Sequence, residues 1–507
     1  MIQYQTFELN FTAPEPESSH VAVDLTAVFT HDAETVKVAG FYAGGNQYKI
    51  RFLPQRAGTW HWQVAGMIQA SGDEDCSEAI GGRGLVRASG THFAYDDSTR
   101  YQPFGTTVYA LLHQDQALVD QTMASLAASP FNKVRLCVFP KHYDYNHNEP
   151  EFYAFQKSTN GWDVNKPCFE FWDHLERRIR ELGDHGIEAD LIIFHPYDRW
   201  GFAKLSEDEC QTYLDYLTRR LSAFPNVWWS LANEYDLMND FEFDWWPKFA
   251  AYIHDHDPYG HLLSNHNFIR YWDFANEHTT HCCIQDRTVE EVPLWLRRHD
   301  KPVVYDECCY EGNLPHSWGN ISAFEMVNRF WKVCVNGGYC THGETYLNPE
   351  EIVWWSRGGR LVGESPARIG FLRELLASLP GPLDPWQASG GLNLDMVREL
   401  VASGRAHEIE NPFFLALARL DEDELQRLSK LISSIAGHCG EDVFLIYYER
   451  QCASQGTLAL PEGKNYKVEV IDVWAMTRWT ALEHASGTVT VELPGQEGIA
   501  LLATRVG

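Results

Sequence analysis

Short runs of Val, Ile, Tyr and Phe dominate residues 1–90, and turn-forming Gly, Asp and Asn residues separate them. The runs VAVDLTAVFT, TVKVAGFYAG, QYKIRFLPQ and GTWHWQV, the last with alternating Trp60 and Trp62, have the length and composition of β-strands. The polar, glycine-rich stretch ASGDEDCSEAIGGRG that follows indicates a loop. We therefore predict an N-terminal β-sandwich over residues 1–90.

From residue 91 to residue 385, short apolar runs alternate with helical periods such as CFEFWDHLERRIRELGDHG and EDECQTYLDYLTRRLSAF. This alternation is typical of βα units, and nearly continuous apolar strands indicate a parallel sheet covered on both faces. The eight strand candidates cover residues 102–110, 133–139, 188–194, 226–233, 261–267, 281–285, 301–307 and 337–344. Eight such units favour an α/β fold with a (β/α)8 TIM barrel over an open doubly wound sheet.

A third pattern covers residues 386–507. The runs DVFLIYYE, YKVEVIDVWAM, GTVTVEL and GIALLATRV predict the strands of a C-terminal β-sandwich. The stretch DEDELQRLSKLISSIAG before them predicts a helical insert near residues 419–436. The predicted chain is thus a barrel flanked by an N-terminal and a C-terminal β-sandwich.

Composition narrows the classes of function. The 507 residues include 41 Lys and Arg against 70 Asp and Glu, a formal charge of −29, which argues against nucleic acid and anionic membranes as partners. No glycine-rich nucleotide motif opens a helix. The aromatic content of 13% has two interpretations, large aromatic cores or stacking surfaces for flat ligands such as sugar rings.

The cysteines and the N-terminus bear on location. Twelve cysteines in 507 residues are too sparse for a disulfide framework, and no pair has the C-x-x-C spacing of a zinc site. The N-terminal sequence MIQYQTFELNF does not have the pattern of a signal peptide, and no apolar run reaches the ~20 residues of a membrane span. We expect a soluble, cytoplasmic protein with reduced thiols.

In a barrel, function belongs at the C-terminal ends of the strands. Glu234 and Glu307 follow the fourth and seventh strand candidates, so they can face each other across the barrel mouth. Retaining glycoside hydrolysis needs two carboxylates about 5–5.5 Å apart, one protonated and one ionised. Asn233 can hydrogen-bond a sugar 2-hydroxyl, and Arg135 can donate to an ionised Glu307. We therefore predict Glu234 and Glu307 as the catalytic pair.

The other polar and aromatic residues near the strand ends have two interpretations each. The histidines either bind sugar hydroxyls or support residues that do, and the tryptophans either stack on the sugar or belong to the core. Glu311 and Glu344 either bind sugar hydroxyls or replace one member of the catalytic pair. With Arg135 and Asn233, the predicted substrate-binding residues are His195, Trp200, His266, Gln285, His342, Glu344, Trp354 and Trp355.

Two motifs carry a family resemblance. NVWWSLANEYD resembles the strand-4 Asn-Glu motif of clan A retaining glycoside hydrolases, and KPVVYDE resembles their strand-7 nucleophile. The segments GTTVYALLHQ, FNKVRLCVFPKHYDYN, ADLIIFHPYDRWGF and HGETY, with the N-terminal GFYAGG and YKIRFLPQRAGTWHW, resemble bacterial proteins related to the apiosidase-like group. The resemblance implies a β-sandwich before and after the barrel, Glu234 as acid/base and Glu307 as nucleophile. The helical insert and the neighbouring Cys308 and Cys309 depart from that pattern.

The sequence thus predicts a retaining exo-glycoside hydrolase that acts on short oligosaccharides or glycosides. This chemistry needs no metal and no organic cofactor. The expected partner is a small carbohydrate, with no nucleic acid and no membrane, and a homo-oligomer is compatible with the sequence. Two alternatives are a metal-dependent barrel hydrolase and a carbohydrate-binding protein without catalysis.

Overall fold

A computed structural model describes residues 1–159, 161–388, 399, 402–404, 412–417, 419–421, 423–424 and 435–506. The chain divides into two compact units. The first comprises Met1–Phe330 with Gly338–Glu374, and the second comprises Trp331–Gly337 with Leu375–Gly507. The domain boundaries at residues 90 and 385 stay a prediction.

The N-terminal part of the first unit is β-rich, as predicted. Phe29 and Phe52 stack in its core with ring centroids 4.0 Å apart, and the buried Trp60 packs edge-on against Phe52. A three-stranded sheet has the order Phe7–Thr12, Gln47–Phe52, Phe41–Gly44, and a four-stranded sheet has the order Glu34–Ala39, Leu25–His31, Gly58–Gly66, Ala70–Cys76. Val86–Ser89, His92–Tyr95 and Arg100–Tyr101 form a further small sheet.

The prediction of a loop at ASGDEDC was wrong. Ala70–Cys76 is a strand at the edge of the four-stranded sheet and pairs antiparallel with Gly58–Gly66. An edge strand is free of a second neighbour, so exposed polar side chains are compatible with it. Thr59 Oγ1 also donates to Asp75 across the strands at 2.7 Å. Local composition therefore gave the wrong answer where pairing with a stronger strand decided the structure.

The TIM barrel is confirmed. Its strands 1 to 8 are Phe104–Thr107, Lys133–Cys137, Glu188–Phe194, Val227–Ala232, Leu263–Ser264, Cys282–Gln285, Val303–Glu307 and Tyr339–His342, each inside its predicted range. All neighbouring pairs are parallel, in the order 5-4-3-2-1-8-7-6. A parallel bridge between His266 and Cys283 joins strands 5 and 6 and closes the ring.

A helix follows every barrel strand except strand 5. Residues 265–281, between strands 5 and 6, contain no helix. Ser206 begins the helix after strand 3 with a capping box in which Glu209 is the partner. The principal helices are Gln116–Ala127, Phe169–Asp184, Glu207–Leu221, Trp245–His256, Val292–His299, Ala323–Val335, Trp354–Arg357 and Ser365–Ala377. The hairpin Phe155–Ser158 with Gly161–Pro167 lies between strand 2 and its helix.

A buried ion cluster fills the barrel interior. Lys133 Nζ lies 2.7 Å from both Asp190 Oδ2 and Asp306 Oδ1, and Arg135 Nε lies 3.9 Å from each carboxylate. These side chains are almost fully removed from solvent, so each charge depends on its partners. The cluster holds the Nε side of the Arg135 guanidinium, and Nη1 of the same group points towards Glu307.

In the second unit, a six-stranded sheet has the order Asp384–Pro385, Ile435–Cys439, Val443–Tyr447, Ile499–Arg505, Tyr466–Asp472, Thr477–Ala485. Gln455–Ala459 pairs with Thr488–Glu492, and the buried core between the sheets includes Leu458, Val470 and Leu501. The prediction of a C-terminal sandwich is confirmed. Pro412–Leu417 is a short helix.

Most of the predicted helical insert at residues 419–436 lies outside the described residues. Its last two residues are not helical, because the strand Ile435–Cys439 begins there and pairs with Val443–Tyr447.

None of the helices in the described ranges is long and apolar enough to cross a membrane. All twelve cysteines fall within those ranges, and none forms a disulfide. Most are buried, and several lie in barrel strands, where they pack as small apolar residues.

Candidate active site

A cavity of about 590 Å³ lies at the C-terminal end of the barrel. Ligand pockets typically measure about 300–1,000 Å³. Both predicted catalytic carboxylates line this cavity. Its wall consists of Tyr109, Lys141, Tyr143, Tyr197, Asn233, Glu234, Leu237, Asn267, Phe268, Ile269, Tyr271, Gln285, Asp286, Arg287, Glu307, Cys309, Tyr310, Trp318 and Trp355.

Glu234 follows barrel strand 4 and is 4% exposed. Its φ of 55° lies in the left-handed region, an unfavourable conformation for a residue with a side chain, and its backbone NH donates to His266 Nδ1 at 3.3 Å. Tyr197 Oη donates to Glu234 Oε2, and Gln285 Nε2 donates to Oε1 at 3.1 Å. Burial, and then the charge of Glu307, raise the pKa of Glu234 to about 7.

Glu307 ends barrel strand 7 in a different environment. Its Oε1 accepts a hydrogen bond from Tyr109 Oη and lies 3.5 Å from Arg135 Nη1. His266 Nε2 lies 3.9 Å from the same oxygen, and burial lowers the pKa of His266 far below its usual value, so the ring is neutral. A cation and a hydroxyl donor both favour an ionised carboxylate. The two glutamates therefore meet in one cavity with opposite electrostatic surroundings.

Asn233 is held between the same groups. Its Oδ1 accepts from Arg135 Nη2 at 3.2 Å and lies 3.0 Å from Tyr109 Oη. With the oxygen occupied, the amide nitrogen is the part of Asn233 left to meet a ligand in the cavity. This orientation suits donation to a sugar hydroxyl beside Glu234.

The structure brings Asn233, Glu234, Gln285, Glu307 and Trp355 together in the cavity wall. Two further predicted residues, Arg135 and His266, are fully buried behind that wall and contact Glu307.

The remaining five predicted residues do not line the cavity. His195 Nε2 donates to the Phe139 carbonyl oxygen at 3.1 Å, and Trp200 Nε1 donates to Glu149 at 2.8 Å. One ring nitrogen of His195 and the indole nitrogen of Trp200 thus bond neighbouring segments of the chain, away from the cavity.

The other three lie around barrel strand 8. His342 stacks on Phe131 with centroids 4.7 Å apart, and Trp354 Nε1 donates to Thr106 Oγ1 at 2.9 Å. Glu344 accepts backbone NH groups from the loop that contains Gly363. A position at a strand end brings a side chain to the rim, but it does not decide which neighbour the side chain faces.

Several cavity residues escaped the sequence-based prediction. Lys141 Nζ lies over the rings of Tyr109 and Tyr197, 3.5 and 4.3 Å from their centroids, and burial lowers its pKa. Tyr109 and Tyr197 follow barrel strands 1 and 3, so position alone could have marked them. Lys141 lies in the longer segment after strand 2, where no spacing rule applies.

An aromatic wall lines one side of the cavity. Trp318 and Trp355 have ring centroids 4.9 Å apart, and Tyr143 lies 5.9 Å from Trp355. Trp355 is therefore the one predicted tryptophan placed where a sugar ring could stack. Trp318 comes from the loop after strand 7 and carried no signal in the sequence.

Family models match three parts of the chain. Residues 81–389 match the model described as "Apiosidase-like, catalytic domain". Residues 1–66 and 433–504 match two domains of unknown function, DUF5060 and DUF5605. Among curated proteins, none matches the chain.

Two solved structures are also similar. A "putative glycoside hydrolase" from Bacteroides vulgatus ATCC 8482 is 32% identical, covers 100% of this chain and 99% of its own, and has a TM-score of 0.87. A glycoside hydrolase family 5 structure from the same organism is 14% identical, with coverages of 83% and 94% and a TM-score of 0.61. The second similarity shows the shared fold.

Proposed function

The chain belongs to the apiosidase-like glycoside hydrolase family, and we propose that it is a retaining exo-glycosidase that acts on short oligosaccharides or glycosides. The observation that carries the proposal is the unequal pair of carboxylates. Burial and the neighbouring charge of Glu307 raise the pKa of Glu234 to about 7, whereas Glu307 lies against the Arg135 guanidinium and accepts a hydrogen bond from Tyr109. A retaining enzyme needs one acid and one nucleophile of this kind.

In the first step, an oxygen of Glu307 attacks the anomeric carbon while Glu234 gives its proton to the departing glycosidic oxygen. The C–O bond to the leaving group breaks, and a glycosyl ester forms on Glu307. In the second step, Glu234 takes a proton from water, the water oxygen attacks the anomeric carbon, and Glu307 leaves as a carboxylate. In both steps the Asn233 amide would donate to the sugar 2-hydroxyl.

The shape and lining of the cavity support a small substrate. A volume of about 590 Å³ suits a short saccharide, and the wall of Trp318, Trp355 and Tyr143 offers rings for stacking. We also propose a cytoplasmic location, which is supported by twelve thiols without a disulfide. Short, imported sugars are the substrates such an enzyme would meet.

The stereochemistry of hydrolysis tests the mechanism. We would screen aryl pyranosides and furanosides and follow the first released sugar by 1H NMR before it mutarotates. The expected product keeps the anomeric configuration of the substrate. Inversion would show that Glu307 is not a nucleophile. With a short oligosaccharide, exo action should release single sugars only, and early products of mixed length would contradict it.

We predict that kcat/KM falls at alkaline pH. Glu234 must carry its proton to donate it, and its raised pKa keeps it protonated up to about pH 7. As pH rises through that value the carboxylate ionises, so kcat/KM should fall about tenfold per pH unit above it. Initial rates from pH 5 to 9 measure this fall, which is the alkaline limb of the pH profile.

The Tyr197→Phe variant sharpens that prediction. The Tyr197 hydroxyl bonds the ionised form of Glu234 and lowers its pKa, so its loss should move the alkaline limb to higher pH. Tyr143→Phe is the matched control, because Tyr143 lines the same cavity and packs on Tyr197. The control should leave the limb in place. A limb that stays in place in both variants would remove Glu234 as its source.

A further inference from the structure

A second polar cluster lies beside the cavity without lining it. Glu311 comes four residues after Glu307, and the short strands Glu311–Gly312 and Glu344–Thr345 pair in parallel. His342 ends barrel strand 8. One oxygen of each of the two glutamates and one ring nitrogen of His342 all lie within 4.8 Å of one another.

The two carboxylates have no positive side chain to balance them. Glu311 and Glu344 are 0% and 1% exposed, and within the described residues neither forms an ion pair with Lys or Arg. Two adjacent buried carboxylates need either a shared proton or a cation, because unpaired buried charge is costly.

A loop supplies hydrogen bonds but no charge. The backbone NH groups of Val362 and Gly363 donate to Glu344 at 2.7 and 2.9 Å. Those of the next two residues, Glu364 and Ser365, donate to Glu311 at 2.9 and 3.2 Å. These bonds orient the carboxylates and leave lone pairs on both, since each carboxylate offers about four acceptor sites.

The buried ring of His342, with one nitrogen unpartnered, is an independent observation that points to a ligand. Its ring is fully buried, and Nε2 has no hydrogen-bond partner. Its Nδ1 lies 3.1 Å from Thr106 Oγ1, a hydroxyl that Trp354 Nε1 also contacts. Metal-binding histidines are held in this way, with one nitrogen bound to a protein oxygen and the other free for the ion.

We propose that Glu311, His342 and Glu344 bind one divalent transition-metal ion of the zinc or manganese type. A single ion would balance both carboxylates and give Nε2 its missing partner. One imidazole with two carboxylates suits such an ion better than Mg²⁺ or Ca²⁺, which favour oxygen ligands alone.

The ion would hold parts of the structure together and take no part in the chemistry. It would tie the segment after strand 7, which contributes Tyr310 to the cavity, to strand 8 and to the loop at residues 362–365. None of the three ligands lines the cavity, so this ion is a positioning element. The proposal departs from the sequence-based expectation of no metal.

Metal content tests the site directly and does not depend on the glycosidase mechanism. Chelator-treated protein would be dialysed against Zn²⁺ or Mn²⁺, and the bound metal measured by mass spectrometry. We expect one ion per wild-type chain and a Tm about 5 °C higher at saturating metal. His342→Leu and Glu344→Gln should lose both effects.

His195→Leu is the matched control. His195 is also a buried histidine near a barrel strand end with one ring nitrogen unpartnered, but it belongs to no carboxylate cluster. This variant should keep one ion per chain. Wild-type protein that takes up neither metal would overturn the proposal and leave a shared proton as the explanation. Full uptake by both site variants would place the ion elsewhere and overturn it too. If His342→Leu fails to fold by circular dichroism, wild type and Glu344→Gln still decide.

Discussion

Glu307→Gln is expected to lower kcat about 10⁴-fold or more, the largest effect of any substitution in this chain. The amide is close to the carboxylate in size, so binding of the sugar should persist. It cannot attack the anomeric carbon, and removal of a nucleophile typically costs four or more orders of magnitude. Initial rates on an activated aryl glycoside measure the loss.

Azide distinguishes a lost nucleophile from a damaged site. Glu307→Ala should recover part of its activity in azide and give a glycosyl azide of inverted configuration, because the small anion fills the space of the carboxylate. Asp286→Asn is the control, since Asp286 lines the same cavity but hydrogen-bonds Tyr271. It should lose less than about tenfold and gain nothing from azide. Wild-type rates in Glu307→Gln would remove it as the nucleophile.

The barrel could be predicted because each of its strands has a residue composition that is recognisable within the strand itself. Val227–Ala232 is buried on both faces, so its residues are nearly all apolar and its limits are visible in the sequence. Ala70–Cys76 could not be predicted, because its strand conformation comes from pairing with Gly58–Gly66. Its own polar residues favour a loop. Local composition therefore works where burial sets the residue types and fails where a neighbouring strand sets the backbone.

The meeting of the two glutamates that we propose as the catalytic pair could be predicted for a related reason. Strand ends in a parallel barrel meet at one rim, so Glu234 and Glu307 had to come near each other once strands 4 and 7 were known. The side-chain environment could not be read in the same way. His342 and Glu344 also lie at a strand end, yet they face Glu311 and the loop at residues 362–365.

The cavity residues that come from loops could not be predicted from the sequence. Trp318 and Tyr310 reach the cavity from the segment after strand 7, and Lys141 reaches it from the segment after strand 2. Their positions depend on how each loop folds back over the rim, which no periodicity in the sequence encodes. The presence of Glu234 and Glu307 in one cavity could therefore be predicted from the sequence, whereas the loop side chains that complete the cavity wall could not.

Glu234→Gln should separate substrates by leaving group. A glycoside with a poor leaving group needs the proton that Glu234 supplies, so its kcat/KM should fall about 10³-fold. An aryl glycoside with a strongly acidic phenol departs without that proton, so its kcat/KM should fall less than about tenfold. The raised pKa of Glu234 is the reason to assign it the acid role, and the alkaline limb should vanish in this variant.

The second step gives an independent signature. Glutamine cannot deprotonate water, so the glycosyl ester on Glu307 should accumulate, and the activated substrate should show a burst of phenol followed by slow turnover. External azide should speed that slow phase, because an anionic nucleophile needs no general base. The control variant Asp286→Asn should lower kcat/KM by the same small factor for substrates with poor and with good leaving groups. Glu234→Gln could instead lower kcat/KM equally for both kinds of substrate and show no burst. That result would mean that Glu234 supports the cavity without transferring a proton, and that the acid is another residue of the cavity wall.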